Sequence, residues 1–367
     1  VSAGVDGDVE VAWFSALCDD DYEFLGVPDP ALASSFGHCS DIVAAADRLG
    51  YDNVLLPSGY QLGIDPVAFA AGVSQVVRRI RLLLAVRMGE MWPPQLARQL
   101  ATIDAMLGPD PAAPGRGRLT VNVISSDLPG APLPGPRRYA RTLEAMGILR
   151  ELLDGRHVSH HGEFYDLELE PPRARTVSGS CPPLYFGGLS EEAREVAAAA
   201  ADVYLMWPDT VDGVRAVVED MTARAARHGR TLRFGFRCHV IVRGTESEAR
   251  AAAARLVSRL DPEEGERIRR RSLDTGSAGV ARQVELRDAA DDDGFVAPHL
   301  WTGIARARSG AGAAIVGDPD QVAATLASYR AAGIGSFVLS GYPHLDECER
   351  FARHVLPALR VGGPPGG

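Results

Sequence analysis

The chain has 367 residues, 46% of them hydrophobic and 23% charged, with a formal net charge of -10. This length fits one large domain or two small ones, and the composition is that of a globular protein with a sizeable core. The negative balance leaves no basic surplus for a nucleic-acid backbone, and the absence of any lysine excludes a Walker lysine, Schiff-base chemistry and pyridoxal phosphate together.

Taken in order, strand-like and helix-like segments alternate. Val9 to Phe14 is a short apolar run typical of a buried strand, followed by the acidic loop Asp19-Asp20-Asp21. A helix is expected from Ser40 as N-cap, with Ile42, Val43, Ala46 and Leu49 on one face and Gly50 as its stop. Strand Asn53–Leu56, helix Pro66–Val77, strand Ile80–Val86, helix Pro93–Leu107, strand Arg118–Ile124 and helix Arg137–Leu153 follow. Residues 155–183 break the rhythm as an insertion, with a β excursion from Phe164 to Leu169. The alternation resumes with strand Leu184–Phe186, helix Ser190–Ala200, strand Val203–Met206, helix Val211–His228, strand Arg233–Val242 and helix Glu246–Leu260. A charged stretch rich in small residues, about 261–312, reads as an irregular, mobile lid. Helix Pro319–Ala332, strand Ser336–Leu339 and helix Leu345–Leu356 close the fold. The ends, about 1–8 and 361–367, read as disordered.

Eight strands, each followed by a helix, predict an α/β fold: a single (β/α)8 TIM barrel with insertions, rather than a doubly wound sheet. In Arg233–Val242, period-two alternation puts Phe234, Phe236, Cys238 and Val240 on one face and Arg237 and His239 on the other. On a solvated edge strand that pair would be ordinary polarity. Inside a barrel packed with branched apolar residues, an unpaired arginine is costly, so Arg237 and His239 are candidates for the active-site mouth.

Other polar residues stand at comparable strand exits. Asn122 serves equally as an amide satisfied by the barrel backbone or as a ligand contact, and Trp207 as core filler or as a site wall. Tyr342 follows the last strand in a turn. Gly187-Gly188-Leu189-Ser190, at a helix start, offers backbone N–H groups to an anion. Arg308 ends the long stretch, where it is either solvated or carried over an anionic substrate. The glycine-rich run Gly310–Gly317 follows no strand, so a dinucleotide loop is rejected. Five cysteines without CxxC spacing indicate neither a disulfide framework nor a zinc site, and a reducing cytoplasm fits them. No apolar run is long enough for a membrane span, and the acidic start is unlike a signal peptide.

Four segments together carry a resemblance: Pro183–Gly188, Asp202–Trp207, Arg233–Arg243 and Ser336–Leu345. The chain resembles the bacterial luciferase-like flavin monooxygenases from about Val9 to Leu359, and within them most resembles the FMNH2-dependent alkanesulfonate monooxygenases. The resemblance implies a two-component enzyme in which a separate NAD(P)H-dependent reductase supplies reduced FMN. A C4a-(hydro)peroxyflavin formed with O2 then oxygenates a small molecule, in the sulfonate branch releasing sulfite and an aldehyde. By position, Trp207, Arg237, His239, Arg308 and Tyr342 match catalytic residues of that family, while Asn122, Tyr139, Gly187, Gly188, Leu189 and Ser190 match its flavin contacts. The resemblance also implies a homo-oligomer, dimer or tetramer.

The sequence departs from the sulfonate branch at two loops that line the pocket mouth. Cys18 or Asp19 stands where those enzymes carry a histidine, and Ser58–Gly63, with Tyr60 and Leu62, lacks their cysteine. Cys18, Tyr60 and Leu62 are therefore the expected substrate-pocket residues. Besides desulfonation of an alkanesulfonate, two readings stay open: the same chemistry on a carrier-tethered acyl or amino-acyl group, and a deazaflavin-dependent oxidoreductase on the same barrel.

Overall fold

The computed structural model describes residues 9–270, 277–308 and 310–361. The ends expected to be disordered lie outside them, apart from Val361. Eight parallel strands form the barrel: β1 (Glu10–Phe14), β2 (Asn53–Leu56), β3 (Arg81–Arg87), β4 (Leu119–Ile124), β5 (Leu184–Phe186), β6 (Val203–Met206), β7 (Arg233–Val242) and β8 (Ser336–Ser340). Each pairs in parallel with the next, and β8 pairs with β1, which closes the ring. Around it run α1 (Phe36–Leu49), α2 (Pro66–Val73), α3 (Pro93–Leu107), α4 (Gly135–Leu153), α5 (Glu191–Ala200) and α6 (Val211–Arg227). They are followed by α7 (Glu246–Val257), α8 (Pro262–Arg270), α9 (Ala278–Asp288), α10 (Pro319–Ala331), α11 (His344–His354) and α12 (Leu356–Val361). No helix among the described residues is long and apolar enough to cross a membrane.

Alternation along the strands builds two cores. Val11, Trp13, Val54, Leu56, Leu82 and Leu84 face outward and pack in the large cluster under the helices. Their neighbours Ala12, Phe14, Leu55, Leu83 and Ala85 turn inward, where they meet Tyr185 and Val338. Both faces are buried, so these strands read as continuous apolar runs. At the N-terminal mouth, Glu10 draws polar groups together. Its Oε1 accepts from Tyr185 Oη and from Ser336 Oγ, both at 2.9 Å, and its Oε2 accepts from Arg81 at 2.5 Å. These bonds occupy that end of the barrel and leave the chemistry to the opposite one.

Strand β7 is longer than the barrel needs. Its first residues pair with β6, and Gly235 to His239 pair with β8. From His239 to Val242 it pairs instead with a further strand, Ala314–Gly317, in parallel. That strand in turn holds Leu300–Trp301 and, through it, Phe295–Ala297 in antiparallel pairing.

Several expected boundaries are corrected. Helix α1 begins at Phe36, and its N-cap is Ser35, whose Oγ accepts from His38 N at 3.1 Å. Ser40 lies inside the helix; Gly37 and His38 give the first turn no apolar signal. Helix α2 stops at Val73 rather than Val77. The 155–183 insertion holds a hairpin of Val158–His161 with Asp166–Leu169, not one excursion from Phe164, and its first strand is mostly polar. Among the described residues, the stretch 261–312 is not irregular: it contains α8, α9 and the two short strands just described. In α8 the only large apolar side chain is Ile268, and ion pairs such as Arg267–Glu264 at 2.6 Å and Arg270–Glu266 at 2.8 Å stand where an apolar stripe would be sought. The chain also runs past α11 into α12, whose Pro357 falls in the first turn, where no amide donor is needed.

Candidate active site

At the C-terminal mouth of the barrel a cavity of about 310 Å³ opens between the strand ends and the α9 region. It has two differently built sides.

One side suits an anionic group attached to a flat ring. Gly187 and Gly188 lead from β5 into α5, and Ser190 caps the helix, its Oγ accepting from Ala193 N at 3.2 Å. A Cβ on Gly187 would lie 1.9 Å from the Leu205 carbonyl oxygen, and Gly188 has φ +143° with room closed by Ala193. Only glycine lets these two strand ends approach so closely. The backbone therefore comes close to the cavity at a helix N-terminus, a suitable place for a phosphate. Glu191, in the first turn of α5, is drawn onto Arg224 at 2.5 Å. Tyr139 stands edge-on to Phe186, with the Arg138 guanidinium over its ring at 5.5 Å. Arg138 donates to Asp127 at 3.0 Å while its buried Nε has no protein partner. Asn122 lines the same cavity from β4. Glycines, a helix start, an arginine and an aromatic ring together fit FMN.

We expect Gly187→Ala to cost about 1–3 kcal/mol through overpacking of β5 against β6. Thermal unfolding measures that loss, and a fluorescence titration should find FMN bound more weakly.

The other side is cationic. Arg237, only 3% exposed, places its guanidinium carbon 4.3 Å from the centre of the Phe14 ring, and Arg308 lies over the same ring at 5.5 Å. Arg237 Nη1 donates to the Cys238 carbonyl at 2.9 Å, whereas its buried Nη2 has no protein partner. Burial, and secondarily the charge of Arg308, push its pKa down to about 9. Arg308 Nη1 donates to Asp20 Oδ2 at 2.5 Å and to Tyr342 Oη at 2.9 Å. Burial works against the Arg308 charge, but Tyr342 and Asp20 outweigh it and hold its pKa above the ordinary arginine value. Trp207 lines the cavity at the end of β6, packed against Gly279 and Gly310.

His239 and Tyr342 lie behind the cavity wall rather than on it. Their rings stack at 5.0 Å, and His239 Nδ1 shares a hydrogen bond with Ser340 Oγ at 2.7 Å. Tyr342 also contacts His344 at 5.1 Å, and His344 contacts Phe14 at 5.4 Å. Burial, followed by the arginine charges, depresses the pKa of His239 well below its usual value, and burial also lowers that of His344. Both imidazoles are thus neutral at physiological pH, and burial keeps the Tyr342 phenol protonated. The arginines rest on an uncharged aromatic backing.

Cys18, Tyr60 and Leu62 do not line the cavity. The Cys18 sulfur sits against the loop at Gly59, Leu62 is half-buried and Tyr60 is exposed. Burial raises the Cys18 thiol pKa, so it is no thiolate nucleophile. Sequence reasoning missed Phe14, Arg138 and Asp20. Phe14 is indistinguishable by type from core, and Asp20 is hidden in a run of three aspartates. Arg138 was legible only as the neighbour of Tyr139. Among the described residues, no group of three or more His, Cys, Asp and Glu side chains could hold a metal ion.

An eight-stranded barrel carrying a phosphate cradle beside a cationic wall has the organisation of a flavin-dependent oxidoreductase. The chain belongs to the luciferase-like monooxygenase family, which matches residues 25–336, and is a flavin-dependent monooxygenase. It is 63% identical over 353 residues to a sulfoquinovose monooxygenase of Novosphingobium aromaticivorans, covering 96% of this chain and 97% of that one. A second sulfoquinovose monooxygenase, from Agrobacterium fabrum, is 50% identical over 367 residues, covering 99% of this chain and 93% of the relative. Among solved structures, the EDTA monooxygenase of Chelativorans sp. BNC1 superposes with a TM-score of 0.78 at 18% identity, covering 97% of this chain and 94% of that one. That likeness speaks for the barrel alone.

Proposed function

We propose that this enzyme is the oxygenase of a two-component system and removes sulfite oxidatively from a sulfonated sugar of the sulfoquinovose type. The observation that carries this reading is the buried Nη2 of Arg237, a charged donor without a protein partner in a cavity that Arg308 also lines. A buried donor left unmatched is costly, and an oxyanion relieves that cost with a strong, charge-assisted bond. The two curated relatives, both named sulfoquinovose monooxygenase, favour a sugar sulfonate over a simple alkanesulfonate, a carrier-tethered acyl group or a deazaflavin-dependent reaction.

Reduced FMN, delivered by an NAD(P)H-dependent reductase, supplies the two electrons that activate O2. Gly187 to Ser190, with Arg138, would hold its phosphate, and Tyr139 and Asn122 would flank the ring system. Arg237 and Arg308 would grip the sulfonate and orient the carbon that bears it. Trp207 and Phe14 line that space and exclude water. Overall, the sulfonate, O2 and FMNH2 give an aldehyde, hydrogensulfite, FMN and water. One oxygen atom enters the aldehyde as the carbon–sulfur bond breaks, and the other leaves as water.

Sulfite release from sulfoquinovose and from a series of alkanesulfonates, with a flavin reductase, NADH and FMN present, tests the reading. Release from sulfoquinovose well above the alkanesulfonates is expected. No sulfite beyond the reductase-only control would overturn the proposal.

A further inference from the structure

Between β1 and α1, three consecutive carboxylates have three separate partners. Asp19 holds loop backbone, accepting from Ser34 N at 2.9 Å and Gly63 N at 3.0 Å. Asp21 accepts from His344 N at 2.9 Å and pairs with His38 Nε2 at 2.9 Å. Asp20 alone reaches the cationic wall, through its 2.5 Å pair with Arg308, and its other oxygen, Oδ1, is buried without a protein partner.

The pairing has a consequence for charge. Arg237 and Arg308 both lie over the Phe14 ring, and their charges repel each other. Of the groups that act most strongly on Arg237, namely Arg308, Tyr342, Asp20 and Cys238, the Asp20 side chain is the one carboxylate. Tyr342, His239, His344 and Cys18 are uncharged there, as their burial requires. Two guanidinium charges less one carboxylate leave a single positive charge in the wall.

Resting on the anion-binding reading above, we infer that Asp20 is a positioning residue with a second role in specificity. It fixes Arg308 by one terminal nitrogen and cancels one arginine charge, which tunes the cavity to a singly charged sulfonate over a doubly charged anion of similar size. A sugar phosphate, which carries close to two negative charges above its second pKa of about 6, is the natural competitor to exclude. Discrimination of this kind comes as much from charge withheld as from contact made.

The test is calorimetric binding at pH 8 of sulfoquinovose and glucose 6-phosphate to the wild type, Asp20→Asn and Asp20→Glu. Removing the carboxylate is expected to shift the affinity ratio toward the phosphate by about tenfold, the order of one added charge in a partly screened site, and Asp20→Glu should keep the wild-type ratio. A ratio in Asp20→Asn within about twofold of wild type would overturn the assignment while leaving the sulfonate reading standing. If Asp20→Asn does not fold, Asp20→Ser, which also lacks the charge, gives the same ratio measurement with the same two outcomes. A wild type that binds neither anion defeats the sulfonate reading beneath the proposal, a separate result.

Discussion

Arg237→Ala is expected to lower kcat/KM for the sulfonate by at least tenfold and up to about a hundredfold, or about 1.4–2.7 kcal/mol of transition-state stabilisation. The size follows from burial. A charge-assisted bond to an oxyanion contributes about 1.5–3 kcal/mol where water cannot substitute, and Arg237 Nη2 has no protein group to fall back on. Burial pushes the Arg237 pKa down from the ordinary arginine value, but a guanidinium keeps its charge through the working pH range, so the loss should be much the same from about pH 6 to about pH 9. A kcat/KM in Arg237→Ala within about twofold of wild type would remove Arg237 from anion binding.

Arg308→Ala should be at least as damaging as Arg237→Ala, for a different reason. It removes the proposed grip on the sulfonate, and it also leaves the Asp20 carboxylate without its partner, facing an incoming anion of like sign. The expected fall in kcat/KM is about a hundredfold, and adding Asp20→Asn should recover part of it. Such non-additivity is the signature of a coupled pair, and a double-mutant cycle measures it. Arg308→Lys should recover little, because one ammonium cannot hold Asp20 and Tyr342 and still present a planar fork to the substrate. Full additivity of Arg308→Ala and Asp20→Asn would mean that the pair is incidental.

The barrel was legible because its strands obey two rules at once: a run of apolar residues long enough for a buried strand, then a capped helix. Helix α3 and strands β5, β6 and β7 fall where periodicity puts them. Where the pattern weakens, the reading slipped. Gly37 and His38 concealed the first turn of α1, and α8 is held by ion pairs rather than by an apolar stripe. The site divides along the same line. Arg237 and His239 stood out because a charge and an imidazole interrupt an inward strand face. Nothing local distinguishes Asp20 from Asp19 and Asp21, since their partners lie far away in the chain, at Arg308, Gly63 and His344. Arg308 stood out only as an arginine ending a long stretch, solvated or over an anion, and the resemblance gave it a role; its partners Asp20 and Tyr342 lie far away in the chain.

That overhang of β7 has a consequence for how such a site can diversify. Beyond Arg237, a main-chain ladder from His239 with Ala314 to Val242 with Gly317 fixes the strand that follows Arg308 in the chain. The residues proposed to hold the flavin stand on β4, α4 and the turn from β5 into α5 instead. The segment between α7 and Ala314 brings α9 and Arg308 to the cavity and pairs Leu300–Trp301 with the same ladder, so the grip on the ligand and the extension of β7 are built by one stretch of chain. A change of length there should move the cationic wall while the strand ends at β5 and β6 keep their register.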